Sequence, residues 1–382
     1  WLVLFGHHFS SIAGAGPIIG PVIACCIWGW LPALLWVIIG SIFMGAVHDF
    51  GALIVSVREG GNSLSDIASK VISRRAAIIF GLFVWLALVL VIAVFVYLCA
   101  DTFISDSKII LPSLGLIPVA LLVGFLLYNL KAKQVPVTVL GLGLLVLLIF
   151  LGQKYFITGV SLEAWIVILL IYSFIASVLP VNMLLQPRDY LSSFLLIFGL
   201  VVGFLGLFIS HPNIEFPAFI AFNSTQGTLW PMLFVTVACG AISGFHCLIS
   251  SGTTSKQLAN ERDIKRIGFG AMLTEGILAV MVILVICAGI GKQCLLDKSS
   301  PNVIFGRGYG VVCRNILGDY GSSMAILILN AFILTTLDTA TRITRYISEE
   351  LFRIKNRYIS TLIVVSFGGW LALARDKFDT HL

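Results

Sequence analysis

Charge is scarce in this sequence. Asp, Glu, Lys and Arg account for 11% of its 382 residues and hydrophobic residues for 59%, whereas soluble domains carry about 25% charged residues. That deficit excludes water as the solvent of most of the surface. Segments of alternating apolar and polar residues are also lacking, which excludes a membrane β-barrel. What stands instead are long apolar runs such as Ala76 to Ala100 and Ile264 to Ile290. In lipid every backbone donor and acceptor has to be satisfied within the chain, so these runs predict spanning helices.

Other absences narrow the class further. The net charge of +6 comes from basic residues scattered over short loops; with no basic domain to gather them, a nucleic-acid partner is excluded. The eight cysteines show no C-x-x-C spacing, and Cys25, Cys26, Cys99, Cys239, Cys247 and Cys287, in or near apolar segments, read as packing residues. Cys294 and Cys313 share one polar loop and can bond if it faces an oxidising compartment. No signal peptide or soluble domain is evident. The chain opens on apolar Trp1 to Phe5 without an initiator methionine, which suggests trimming from a longer protein at the N-terminus, with the C-terminus open to the same reading.

The expected fold is all-α, a polytopic transmembrane bundle forming a single domain over 1–382. About eleven spans are predicted, near 10–30, 31–57, 76–100, 114–130, 135–152, 162–181, 191–210, 227–250, 266–291, 322–341 and 358–375. Alternating the loops places sixteen of the 24 Lys and Arg residues on one side. The positive-inside rule makes that side cytoplasmic.

Two spans are poor ordinary helices. The first, HHFSSIAGAGPIIGPVIA, packs Gly14, Gly16, Pro17, Gly20 and Pro21 into eight residues, where Gly costs about 1 kcal/mol and Pro about 3 kcal/mol relative to Ala. The eighth, CGAISGFHCLISSGTTSKQL, surrounds a histidine with glycine and hydroxyl residues. Both carry the frame G-x-H-x5-G, as Gly6, His8 and Gly14 and as Gly244, His246 and Gly252. An odd number of crossings separates them, so they run in opposite directions, the pattern of an inverted repeat with interrupted helices. Tentative halves are 1–152 and 227–375. Interrupted helices of this kind build substrate sites in secondary transporters, so His7, His8, Ser11, Gly14, Gly16, His246, Ser250 and Gly252 are the candidate substrate-binding residues.

Ionisable residues in hydrocarbon cost at least about 2.5 to 3.5 kcal/mol each at a helix centre and need a partner, a cavity or a function. His48, Asp49, Glu275 and Asp338 are the candidates for proton coupling. His48 and Asp49 stand about 100° apart on a helix, too far for an ideal mutual pair, so each is expected to meet another span. Simple interhelical hydrogen bonding remains open for them, as does packing for Glu275. Asp338 has Arg342 one turn away, and a local salt bridge is its plainer reading. Arg188, in the loop QPRDY, is a candidate contact for an anion or equally a partner of helix-end carbonyls or lipid phosphate. The stretch Arg342 to Arg357 reads as an amphipathic surface helix, and Ser63 to Ser69 as a capped cytoplasmic segment. His7, His8, His48, Asp49 and His246 offer zinc-type ligands, but no H-x3-H or H-E-x-x-H spacing supports a metal. No cofactor is expected, and no enzymatic activity.

Six stretches then combine in order: VLFGHHFSSIAGAGPIIGPVIA, GAVHDF, SVREGGNSLSDIA, LLQPRDYL, ISGFHCLISSGTT and LTTLDTATR. With them the chain resembles the carbon starvation protein A family along essentially its whole length. The resemblance implies a cytoplasmic-membrane transporter responding to carbon starvation, with peptides or pyruvate as cargo, protons as coupling ion and two inverted five-helix repeats. It implies further sequence beyond both ends of this chain. A membrane-embedded metal-binding protein or metalloenzyme built on the same histidines is the alternative.

Overall fold

The computed structural model describes residues 1–181, 183–224, 226–292 and 299–374. Among them helices dominate, and the one β-ladder is a two-residue pairing of β1 (Asn223–Ser224) with β2 (Gly227–Thr228). Among the described residues, eight helices are long and apolar enough to cross a membrane, nine when the bent pair at the N-terminus is taken as one span. The remaining two of the eleven apolar segments differ for local reasons. Residues 162–178 form a helix of only 17 residues, and the 227–250 segment is broken into short pieces.

The chain divides into two compact units. The first comprises Trp1–Ile54, Ser192–Cys247 and Leu258–Phe332, and the second Val55–Leu191, Leu248–Gln257 and Ile333–Leu382.

In the first unit, α1 (Leu2–Ile12) and α2 (Gly16–Trp28) are bent by 40° at a break around Gly14. Pro17 enters α2 at its first turn, where its missing N–H is not required by the helix ladder. A second break follows at Gly29, whose φ of 98° favours glycine, and α3 (Trp30–Gly40) continues through a π-turn at Ser41–Gly45 into α4 (Ala46–Arg58). The eighth apolar segment is the most irregular. It runs as α11 (Leu229–Thr236), α12 (Ala238–Ala241), an extended residue at Ile242, and α13 (Gly244–Ile249), which turns to π geometry at Ser250–Thr254. Each G-x-H-x5-G frame therefore places its histidine in a short helix, while its last glycine falls in the α1–α2 break in the first frame and in the π-turn in the second.

Glycines let this segment sit against its neighbours at backbone distance. A Cβ on Gly20 would collide with the Thr236 carbonyl oxygen, one on Gly40 with Ala241 Cβ at 2.7 Å, and one on Gly240 with Ala279 Cβ at 2.9 Å. The partner of Gly276, on α14 (Gly270–Gly289), is Ser41, whose Cβ would lie 2.7 Å from a methyl added to that glycine. Small residues at such crossings substitute dispersion contact for the hydrophobic drive that lipid does not supply. Ring contacts complete the packing: Trp36 lies edge-on to Phe234 at 4.6 Å, and Phe9 edge-on to Phe332 at 6.0 Å.

In the second unit, α5 (Leu64–Val71) is capped by Ser63, whose hydroxyl accepts from the Asp66 N–H at 3.1 Å, as the sequence suggests. The following helix, α6 (Arg74–Ser105), turns Ile79, Phe83, Leu86 and Leu90 outward and Val84, Trp85, Leu88 and Ile92 inward. Those outward apolar side chains, at helical spacing, suit hydrocarbon. Helix α9 (Leu162–Val178) packs its Leu170 on Gly369 of α18 (Arg357–Ala374), while Gly368 meets Ile92.

The predicted amphipathic helix over 342–357 is not formed as a surface element. Helix α17 runs unbroken over Gly321–Leu351, and Arg342, Ile343, Arg345 and Ile347 within it are buried. No Gly or Pro interrupts the chain between Ser322 and Leu351, and several hydroxyls are satisfied inside the helix. Thr339, Thr341, Thr344 and Ser348 each donate to the carbonyl four residues back, at 2.7 to 3.0 Å. Cys294, half of the possible disulfide, lies outside the described residues; Cys313 is a buried free thiol donating to the Val202 carbonyl at 3.6 Å.

Gly20→Ala is expected to lower stability by about 1–3 kcal/mol through overpacking, read as an earlier thermal transition in detergent. Gly143→Ala, with nothing within 4 Å of the added methyl, is expected to melt no earlier than the unaltered protein.

Candidate functional site

The first unit gathers most of the ionisable residues that the sequence singled out. Asp49 on α4 is fully buried and receives two histidines: His246 Nδ1 at 2.7 Å on one carboxylate oxygen and His48 Nδ1 at 2.9 Å on the other. The expectation that His48 and Asp49 would not pair with each other is thus corrected. The short aspartate bends toward its neighbour's ring, and its second oxygen remains for the other segment. His48 is 34% exposed where Asp49 and His246 are 0%, so one end of the chain of groups reaches outward and the other is sealed. From its remaining nitrogen, Nε2, His246 faces Glu275 Oε2 at 3.2 Å. The buried order is therefore His48, Asp49, His246, Glu275.

Local folding explains the convergence. The extended step at Ile242 restarts the helix at Gly244 and points His246 at α4, while Glu275 lies on α14 one residue before the Gly276 crossing. His7, His8 and Ser11 are buried on α1. His8 interacts electrostatically with Asp49, His246 and His7. Gly16 packs on Cys239, and Gly14 occupies the break between α1 and α2. Ser250 and Gly252 belong to the second unit, where a Cβ on Gly252 would lie 3.4 Å from Ile343.

Cys239 is a residue that sequence reasoning assigned to packing. One donor atom each from Cys239, His246 and Glu275 lie within 4.8 Å of one another. The signal for it was weak: a cysteine seven residues before the histidine, in a segment whose breaks conceal their spacing.

The second unit holds a separate ionic cluster. Arg188, at the start of α10 (Leu185–Ser210), is 1% exposed; its guanidinium donates to Asp338 and to the Tyr172 hydroxyl through one nitrogen, and to Asp189 at 3.0 Å through another. Tyr172 in turn donates to Asp338 at 2.6 Å. The local salt bridge expected between Asp338 and Arg342 is replaced by this one. Arg342 instead donates to the Ala176 carbonyl at 2.6 Å and to the Leu179 carbonyl, at the end of α9. The two arginines have exchanged their anticipated roles, because helix-end carbonyls lie beside Arg342 and a carboxylate beside Arg188. Nothing in the apolar run of α9 marked Tyr172.

Removing one member of a buried ion pair strands the other, at about 3–5 kcal/mol. Arg188→Leu is expected to destabilise by that order in a detergent melt, and Arg188→Leu with Asp338→Leu by less than the single change.

Comparison with known proteins agrees with the six sequence stretches. The model of the family described as carbon starvation protein CstA matches residues 1–294. The chain is 31% identical to the peptide transporter CstA of Campylobacter jejuni over 91% of its own length and 58% of that protein. It is 32% identical to the peptide transporter CstA of Bacillus subtilis, over 92% of this chain and 66% of that one. Identity to the pyruvate/proton symporter BtsT of Escherichia coli is 39%, over 74% of this chain and 41% of the symporter. The chain thus spans about two fifths to two thirds of the length of these relatives. With a family model covering well over half of it, this multi-pass membrane chain belongs to the CstA carbon starvation family.

Proposed function

We propose that this chain is the core of a secondary active transporter in the cytoplasmic membrane, taking up a peptide or a small carboxylate such as pyruvate together with protons. The observation that carries the reading is the buried series His48, Asp49, His246, Glu275, set beside helices that are interrupted. A polar chain in hydrocarbon that begins at a half-exposed imidazole and ends at a buried carboxylate suits proton entry and release. Broken helices leave backbone groups free of the helix ladder, which suits substrate recognition. The relatives' names, peptide transporter and pyruvate/proton symporter, support both cargo classes and the coupling ion.

On this reading His7, His8, Ser11, Gly14 and Gly16 of the α1–α2 break and His246 line the substrate path, and Asp49 and Glu275 exchange the proton. Ser250 and Gly252 belong to substrate recognition, Asp338 to coupling, and Arg188 orders Asp338 instead of meeting an anion directly. The repeat halves 1–152 and 227–375 are supported by the two matched frames, each ending where α-helical geometry stops. Cargo that is anionic and moves with protons accumulates when the outside is more acidic.

In proteoliposomes an inward proton gradient is expected to drive accumulation of labelled pyruvate or a dipeptide. Asp49→Asn is expected to abolish gradient-driven accumulation while leaving counterflow exchange measurable. Uptake that ignores the gradient would reject coupling, and uptake of neither cargo would reject the substrate class.

A further inference from the structure

We propose that Cys239, His246 and Glu275 form a site for a thiophilic divalent transition-metal ion of the Zn2+ class, with Asp49 orienting the imidazole. This inference rests on the geometry of the cluster and not on the cargo reading.

Three observations carry it. The donor atoms lie within 4.8 Å of one another, and the His246 to Glu275 separation is 3.2 Å. Ligand bonds of about 2.0–2.3 Å in tetrahedral geometry put donor atoms roughly 3.3–3.8 Å apart, so small side-chain adjustments close the set around one ion. Second, both Glu275 oxygens and His246 Nε2 are buried atoms without a hydrogen-bond partner. The close approach of Nε2 to Oε2 lacks hydrogen-bond alignment, so these polar atoms converge on one point where desolvation is costly. Third, His246 Nδ1 stands 2.7 Å from Asp49. An ionised carboxylate accepts, so Nδ1 carries the hydrogen, and Nε2 is the nitrogen that, once deprotonated, presents its lone pair to the cluster. Metal-ligating histidines are held in this manner by a carboxylate on the opposite nitrogen.

The donor set selects the ion. A thiolate beside an imidazole and a carboxylate favours Zn2+ or Co2+ and disfavours Mg2+ and Ca2+, which take oxygen ligands. Thiolate and carboxylate together neutralise a divalent ion, while the Asp49 charge is already shared between His48 and His246. Three protein ligands leave a fourth position open. Binding breaks the Cys239 S–H bond and forms the S–metal bond, and at least that one proton passes to the buffer for each ion taken up.

The test uses purified protein in detergent, stripped with a chelator and titrated with Co2+ and then Zn2+ with no gradient present. One Co2+ per chain is expected, with a near-ultraviolet thiolate-to-cobalt band, proton release into weak buffer and displacement by Zn2+. Cys239→Ser is expected to remove the band, Cys99→Ser to retain it, and Asp49→Asn to weaken binding by roughly 10–100-fold. Should the variants fail to fold, the band, the stoichiometry and the proton count of the unaltered chain decide. Fewer than one tight Co2+ per chain, no thiolate band, or a band that survives Cys239→Ser overturns the site. The titration is made without a gradient, so a failure of gradient-driven uptake would leave the metal site standing.

Discussion

A polar group in hydrocarbon has no water to fall back on, and each donor or acceptor left without a partner costs several kcal/mol. Much of the architecture follows from how this chain meets that demand at Asp49. A single buried carboxylate between two imidazoles requires a histidine from its own helix, His48, and another from a distant stretch, His246. The distant stretch reaches it only because its helix is broken at Ile242 and restarts at Gly244. A broken segment exposes backbone, and close neighbours must cover it. Glycines at positions 20, 40 and 240 allow that approach. Helix breaks, glycine crossings and the ionic series are consequences of one another.

The two units meet the same constraint in different ways. In the second, Arg188 donates to Asp338, Asp189 and Tyr172 within one tight cluster, and Arg342 donates to the carbonyls that end α9. Such buried pairs hold helices in register and resist rearrangement, since separating them strands charge. In the first unit the series ends unclosed, with Glu275 offering lone pairs that no hydrogen bond uses. Convergence of an imidazole, a carboxylate and a thiol in this way makes a place where a mobile proton or a metal ion can be held.

Much of the site was legible residue by residue. Asp49, Glu275 and the histidines stood out because ionisable groups are expensive in long apolar runs, and the glycine and proline density foretold the break near Gly14. Pairing was a different matter. Asp338 had an arginine one turn away and chose one 150 positions earlier in the chain; Cys239 resembled any other buried thiol; and residues 342–351, basic and apolar in alternation, read as a surface helix although they continue α17. Each error came from judging a residue by its nearest neighbours in sequence, when a buried charge goes to whichever partner offers the best geometry in space.

Composition and apolar runs alone determined that this is a helical membrane protein, because hydrophobicity is a sum over residues and needs no knowledge of contacts. Ordered motifs likewise determined the family. Which carboxylate meets which cation was decided only by the tertiary structure, since a step of a few ångströms at a helix break redirects His246 toward Asp49 and a thiol toward both His246 and Glu275. Local propensity specifies where a helix breaks, but the direction taken after the break is set by what packs against it.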